Sequence, residues 1–185
     1  HQSFDNGAFD YALQQEANGN ENYINSLDLL DRSKVTAVLS QLNIAQNGVS
    51  ADDLYYGSKL PFAYNYVDKN TDVTHDNDTQ SEHGSHVAGI AAANKYVPQT
   101  DGDETIYVSA LDTVKTQGVA PEAQLLVMKV FGTNGGAYDS DYMAAIEDAI
   151  VLGADSINLS LGSSYPGPSK YTAYMDADTD PVPVY

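Results

Sequence analysis

The segment Glu82-His83-Gly84-Ser85-His86-Val87-Ala88-Gly89-Ile90 sets two imidazoles three residues apart among small side chains. Imidazole is the side chain best suited to take and return a proton near neutral pH. A histidine held at the start of a helix could therefore act as the general base for a hydroxyl nucleophile. It could equally cap that helix and do no chemistry. A shared metal is a third possibility for the pair. Zinc peptidases place two histidines at i and i+4 with a glutamate between them. Here the spacing is three and Gly84 and Ser85 intervene, so no metal is assigned to His83 and His86.

Other chemistry-bearing groups are weaker. Asp72, Asp76, Asp78 and Glu82 cluster near His75, and hard oxygen ligands at alternating positions suit calcium. The glycine at position six and the glutamate at position twelve of an EF-hand are not in register. The run therefore reads first as a solvated acidic loop, with calcium left open and no other cofactor expected. Asp101, Asp103 and Glu104 read the same way. Gly132-Thr133-Asn134-Gly135-Gly136 lacks the Lys-[ST] ending of a phosphate loop and the G-x-G-x-x-G fingerprint. Ser163 and Ser164 do not form a G-x-S-x-G elbow.

The elements that must position these groups can be read from pattern. Val35, Val38, Leu39 and Leu42 predict a helix over 31–43 with Asp31 as N-cap and a stop at Asn47-Gly48. Pro61 to Val67 reads as a strand. His83 to Asn94 predicts a helix with Val87, Ile90 and Ala91 on one face. Gly89 costs such a helix about 1 kcal/mol relative to alanine, so close packing against a neighbour is expected. Residues 98–116 read as a polar surface excursion. Gln124 to Val130 is a nearly continuous apolar run, as in a strand buried on both faces. Asp141 to Leu152 predicts a helix with Met143, Ile146, Ile150 and Val151 inward, stopped by Gly153. Ser156 to Leu161 predicts another strand, and strand, helix, strand in this order describes a βαβ crossover.

Three of these segments, in order, resemble the subtilase family of serine peptidases. His83 to Gly89 is similar to the family's H-G-[ST]-H-V-A-G. Gly118-Val119-Ala120-Pro121-Glu122-Ala123 is similar to its G-V-A-P-x-A turn. Ser156 to Gly162 is similar to its V-I-N-M-S-L-G strand. The long polar stretch before the histidine motif resembles the cell-envelope, lactocepin-like branch. The resemblance implies an α/β fold of subtilisin type, a mostly parallel sheet with helices on both faces. On this reading residues 1–185 are part of one catalytic domain. Residues 1–60 are a polar insertion-like segment, 61–164 the core with the motifs, and 165–185 a Pro-rich irregular end.

The resemblance also implies function: a serine-type endopeptidase with an Asp-His-Ser triad. His83 would be the general base and His86 structural. Ser160, Leu161 and Gly162 would form the strand that pairs with a polypeptide substrate. Neither a D-[ST]-G motif after an apolar strand nor a G-T-S-M motif lies between His1 and Tyr185. His1-Gln2-Ser3-Phe4 is similar to the H-x-x-F that comes after the family's aspartate, so that motif is expected just upstream. The remainder of the domain would supply Asp and Ser, and the fragment by itself is expected inactive and able to dimerise over exposed core. The competing reading is a degenerate subtilase used as a binding module.

Composition narrows the classes. The 185 residues carry 26 acidic against 8 basic side chains, a net charge of −18. No basic face exists to follow a nucleic-acid backbone or an anionic membrane. There are no cysteines, so thiolate chemistry is excluded. No apolar run approaches the length of a membrane span. Secretion or attachment to the cell envelope is implied by the family resemblance.

Overall fold

The structure, a computed structural model, describes residues 1–76, 82–132 and 137–161. Helix α1 (Asn6–Ala17) starts where the Asp5 carboxylate accepts the Ala8 N–H, and buries Ala8, Phe9, Ala12 and Leu13. It ends at Asn18 in the left-handed region, before α2 (Glu21–Ser26). The Asp31 side chain caps α3 (Arg32–Val38), as its sequence predicts. Two 3-10 turns come next, Leu39–Gln41 and Asn43–Asn47, closed by Gly48 at φ 72°. A reciprocal Ser50/Asp53 capping box opens the short α4 (Ala51–Leu54).

Strand β1 (Phe62–Asn65) is buried at all four positions. Then come α5 (His83–Ala92), β2 (Tyr96–Asp101), β3 (Glu104–Ser109), the single turn α6 (Ala110–Thr113), β4 (Leu126–Lys129) and α7 (Asp139–Val151). Strands β1 and β4 pair in parallel, with Phe62 opposite Leu126 and Asn65 opposite Lys129. Strands β2 and β3 form a separate antiparallel hairpin around Gly102 at φ 63°. The main core joins α3 and the 3-10 turns to β1 and α7 through Val35, Ile44, Leu54, Phe62, Tyr64 and Leu152. The fold is α/β.

The turn before β4 ties the chain together. The N–H groups of Gly118, Val119 and Ala120 donate to the carbonyls of Ala93, Ile90 and Ala91, at 2.9, 3.0 and 2.8 Å. They satisfy carbonyls that the end of α5 would otherwise leave open. On the other side of the turn, the fully buried Lys59 ammonium donates to the carbonyls of Pro121 (2.8 Å) and Ala123 (2.6 Å) and lies 4.9 Å from the Phe9 ring. Gln124 completes the junction with bonds to both Leu30 backbone groups and to the Ser58 carbonyl.

Several sequence expectations need correction. The helix expected over 31–43 breaks after Val38. Leu42 is extended, and the Asn43 N–H turns to the buried Asp148 carboxylate at 2.6 Å. The stretch 98–116 holds most of a hairpin and α6. Helix α7 turns Ala145, Asp148 and Ala149 inward, whereas Met143 and Ile150 are exposed. Asp148 belongs inside because Asn43 and the Tyr66 hydroxyl (2.9 Å) both donate to it. Burial and that neighbouring charge raise the Tyr66 pKa well above its ordinary value. Ile90 of α5 also faces outward, 72% exposed. A side chain at Gly89 would touch nothing, so the close approach occurs at Gly118 instead. Finally, residues 156–161 form no strand. The parallel crossover that does form runs from β1 through α5 to β4.

Two measurements test this junction. A Cβ at Gly118 would lie 2.3 Å from the Ala93 nitrogen and 2.6 Å from the Ala92 Cα, both backbone atoms that cannot swing aside. Gly118→Ala should lower stability by about 1–3 kcal/mol, read as a lower urea midpoint. Burial lowers the Lys59 pKa from 10.5 to about 8. A neutral amine keeps two N–H donors, one for each carbonyl, so the folded state tolerates its loss of charge. Between pH 8 and 10.5 the unfolded chain therefore binds more protons than the folded one at this site, and stability rises with pH across that window. The gain relative to Lys59→Met should approach about 3 kcal/mol; parallel curves for the two proteins would contradict it.

Candidate active site

His83 is the first residue of α5, and no side chain caps the helix there. The helix forms because Ala88, Ile90, Ala91 and Ala92 favour it, and its far end is anchored by the 118–120 turn. One end being fixed, the other presents His83 at the rim of a cleft of about 1370 Å³. Val87, Ala88 and Ala91 of α5 line one wall of the cleft, and β4 lines another. Residues 156–161 run along the same cleft.

His83 and Ser160 meet. The His83 Nε2 lies 2.9 Å from the Ser160 carbonyl oxygen. A carbonyl can only accept, so Nε2 carries the proton and, in the neutral ring, Nδ1 is left as an acceptor. Base catalysis on a serine needs the opposite tautomer, with Nδ1–H held by a carboxylate and Nε2 free to accept. Leu161 lines the cleft as well. Gly162, together with Asp78, Ser163, Ser164 and residues 133–136, lies outside the described residues.

Around His83 the surface is acidic and open. Glu82 lies 3.9 Å from His75 and 4.0 Å from His86, so His86 turns away from the cleft toward its own helix start. All three side chains are substantially exposed, which makes these weak contacts. Asp72 serves its own loop by accepting the N–H and hydroxyl of Thr74. These bonds hold its carboxyl below the usual range. Among the described residues no group of three or more His, Cys, Asp or Glu side chains is placed to hold a metal ion. None of their helices is long and apolar enough to cross a membrane.

Sequence reasoning missed Lys59, Gln124 and Asp148. A lone lysine before Leu60-Pro61 gave no signal. Asp148 sat unnoticed within an apparently clean amphipathic pattern. His1 and Phe4 also line the cleft. They are held there by a 3-10 turn whose Ser3 carbonyl accepts the Asn94 N–H at 2.8 Å, and Asn94 Nδ2 donates to the Asp5 carbonyl at 2.7 Å. The start of the sequence is thus tied to the end of α5.

The tautomer is directly measurable. Long-range ¹H–¹⁵N spectra of the neutral His83 ring should show the proton on Nε2. Ser160→Pro keeps the carbonyl and should leave it there; a proton found on Nδ1 would contradict the geometry.

The sequence profile described as the subtilase family matches residues 38–181. The PI-type proteinase of Lactococcus lactis subsp. cremoris is 43% identical over 112 residues, which are 59% of this chain and 5% of that protein. The minor extracellular protease Vpr of Bacillus subtilis is 36% identical over 115 residues, 60% of this chain and 12% of that protein. The C5a peptidase of Streptococcus pyogenes serotype M18 is 42% identical over 84 residues, 45% of this chain and 6% of that protein. The chain thus spans about a twentieth of the length of the lactococcal relative. No solved structure matches. With the profile covering more than half of its length and the histidine helix and its capping turn in place, the chain belongs to the subtilase family.

Proposed function

We propose that this chain is the histidine-bearing portion of a serine endopeptidase that cleaves polypeptides, with His83 as general base. The observation that carries the reading is the position of His83, at the anchored helix and beside the 158–161 backbone on one cleft. Ser160, Leu161 and Gly162 would bind the substrate main chain by strand addition. The lactococcal relatives favour the cell-envelope branch, and the extracellular relative favours a secreted or envelope-attached protein.

The cleft supports the rest of the proposal. Among the described residues β4 pairs along one edge, with β1, and its other edge faces the cleft. An upstream strand carrying the aspartate would lie beside β4 and lead into His1 at the cleft wall. Its carboxylate would hold Nδ1–H and switch His83 to the catalytic tautomer. A downstream serine would then find Nε2 as acceptor, and the proton taken from its hydroxyl would pass to the leaving amine. Exposed apolar surface left by an unfilled cleft would equally favour dimerisation of the chain by itself.

The test uses both the chain and its parent. The 185-residue chain should hydrolyse no peptide. The parent should do so, and His83→Ala in it should lower turnover about 10⁴- to 10⁶-fold, the loss found on removing one triad member from subtilisin. Activity in the parent that survives His83→Ala would reject the role. A parent whose gene lacks an upstream D-[ST]-G or a downstream G-T-S-M would be a binding module instead.

A further inference from the structure

The β2–β3 hairpin takes no part in the cleft. Its root packs on α1: Tyr11 meets Tyr96 edge-on at 5.0 Å between ring centroids, and Tyr107 at 5.2 Å. Val97 is buried there, while residues 99–106 project into solvent. The two strand edges differ. Strand β2 faces α1 and contains Pro98, which lacks an N–H. Strand β3, Glu-Thr-Ile-Tyr-Val-Ser, is rich in β-branched and aromatic residues and pairs with β2 alone among the described residues. It holds no lysine, proline or bulge of the kind that usually blocks an open edge. Exposed Ile106 continues into exposed Leu111 and Val114 of the turn after it.

Charge decides what could lie on this edge. Between Tyr96 and Val114 there are four carboxylates, Asp101, Asp103, Glu104 and Asp112, and no lysine or arginine. A second copy pairing along this edge would bring the same carboxylates and no cation to meet them, so self-pairing here is opposed. We infer that the free edge of β3 is a docking site for an extended, basic polypeptide segment, added as a third strand with its cationic side chains toward Asp103 and Glu104. Main-chain hydrogen bonds along the edge would supply affinity, and the acidic tip would set the sign of the partner. The site lies apart from His83 and holds whether or not the catalytic reading does.

A fluorescein-labelled peptide of alternating lysine and valine, titrated into the 185-residue chain, tests it by anisotropy. The expected result is saturable binding that weakens with salt. Ile106→Lys should weaken it at least tenfold, and the pair Asp103→Asn with Glu104→Gln several-fold with a shallower salt dependence. Hydrogen exchange should show new protection in β3. Thr105→Lys gives a second edge variant, and unchanged melting for either variant shows that the hairpin is intact. Absence of binding, equal binding of a glutamate–valine peptide, or binding indifferent to both lysine variants overturns the proposal. Sedimentation showing a dimer that Ile106→Lys dissolves would overturn it in favour of a second copy.

Discussion

The hydrogen bonds from Gly118, Val119 and Ala120 into the end of α5 are the contact on which the rest of the site depends. A helix end leaves carbonyls that must find donors. Here the donors are backbone N–H groups of the turn that leads to β4, so the helix carrying His83 and the strand beside the cleft share one junction. The bonds require backbone to approach backbone, which is why position 118 admits no side chain. Ten residues of α5 span about 15 Å. A tilt of about 4° at the anchored end would displace His83 by about 1 Å.

The same junction is tightened by a charge with no counter-charge in hydrogen-bonding contact. Lys59 is buried against carbonyl oxygens and the Phe9 ring, while Glu122 attracts it without bonding to it. Asp148 mirrors it across the molecule, satisfied by an amide, an amide side chain and a phenol. Burying an ion against neutral dipoles is less favourable than packing apolar groups of the same size. Its effect is directional. Lys59 accepts one placement of the 121–123 carbonyls, and Asp148 one placement of Asn43 and Tyr66. In a chain so rich in carboxylates, these two buried ions fix how α1, β1 and α7 meet.

The parts of the fold legible in the sequence were those whose local pattern and tertiary environment agree. Strand β1 is apolar and buried, β4 is apolar but only half-buried where its sequence predicts burial on both faces, α5 carries the histidine motif, and Asp31, Gly48 and Gly153 mark boundaries through their own conformations. Helix α1 was hidden because Ala8, Phe9, Ala12 and Leu13 sit in a polar run whose apolar face is narrow. The hairpin was hidden because its projecting half is solvated on both faces, which erases alternation. Met143, Ile150 and Ile90 misled because hydrophobic periodicity assumes that every apolar stripe finds a partner. Asp148 misled for the opposite reason, since only the distant Asn43 and Tyr66 make its burial favourable. Of the candidate site, the motifs singled out His83 and Ser160, whereas the direct contact between them was not legible.

That contact and the open cleft express one physical situation. Ile157, Leu159 and Leu161 line the cleft and are exposed along residues 156–161. Such apolar surface favours whatever covers it. On the proposed reading, a strand filling the cleft buries part of this surface and, in the same step, brings a carboxylate to the Nδ1 of His83. Core completion and tautomer switching then become one equilibrium: the free energy of burying the strand is available to displace the Ser160 carbonyl from Nε2. On that reading the peptidase would stay unreactive until its sheet is whole, because the atom that must accept the serine proton is committed as a donor until then.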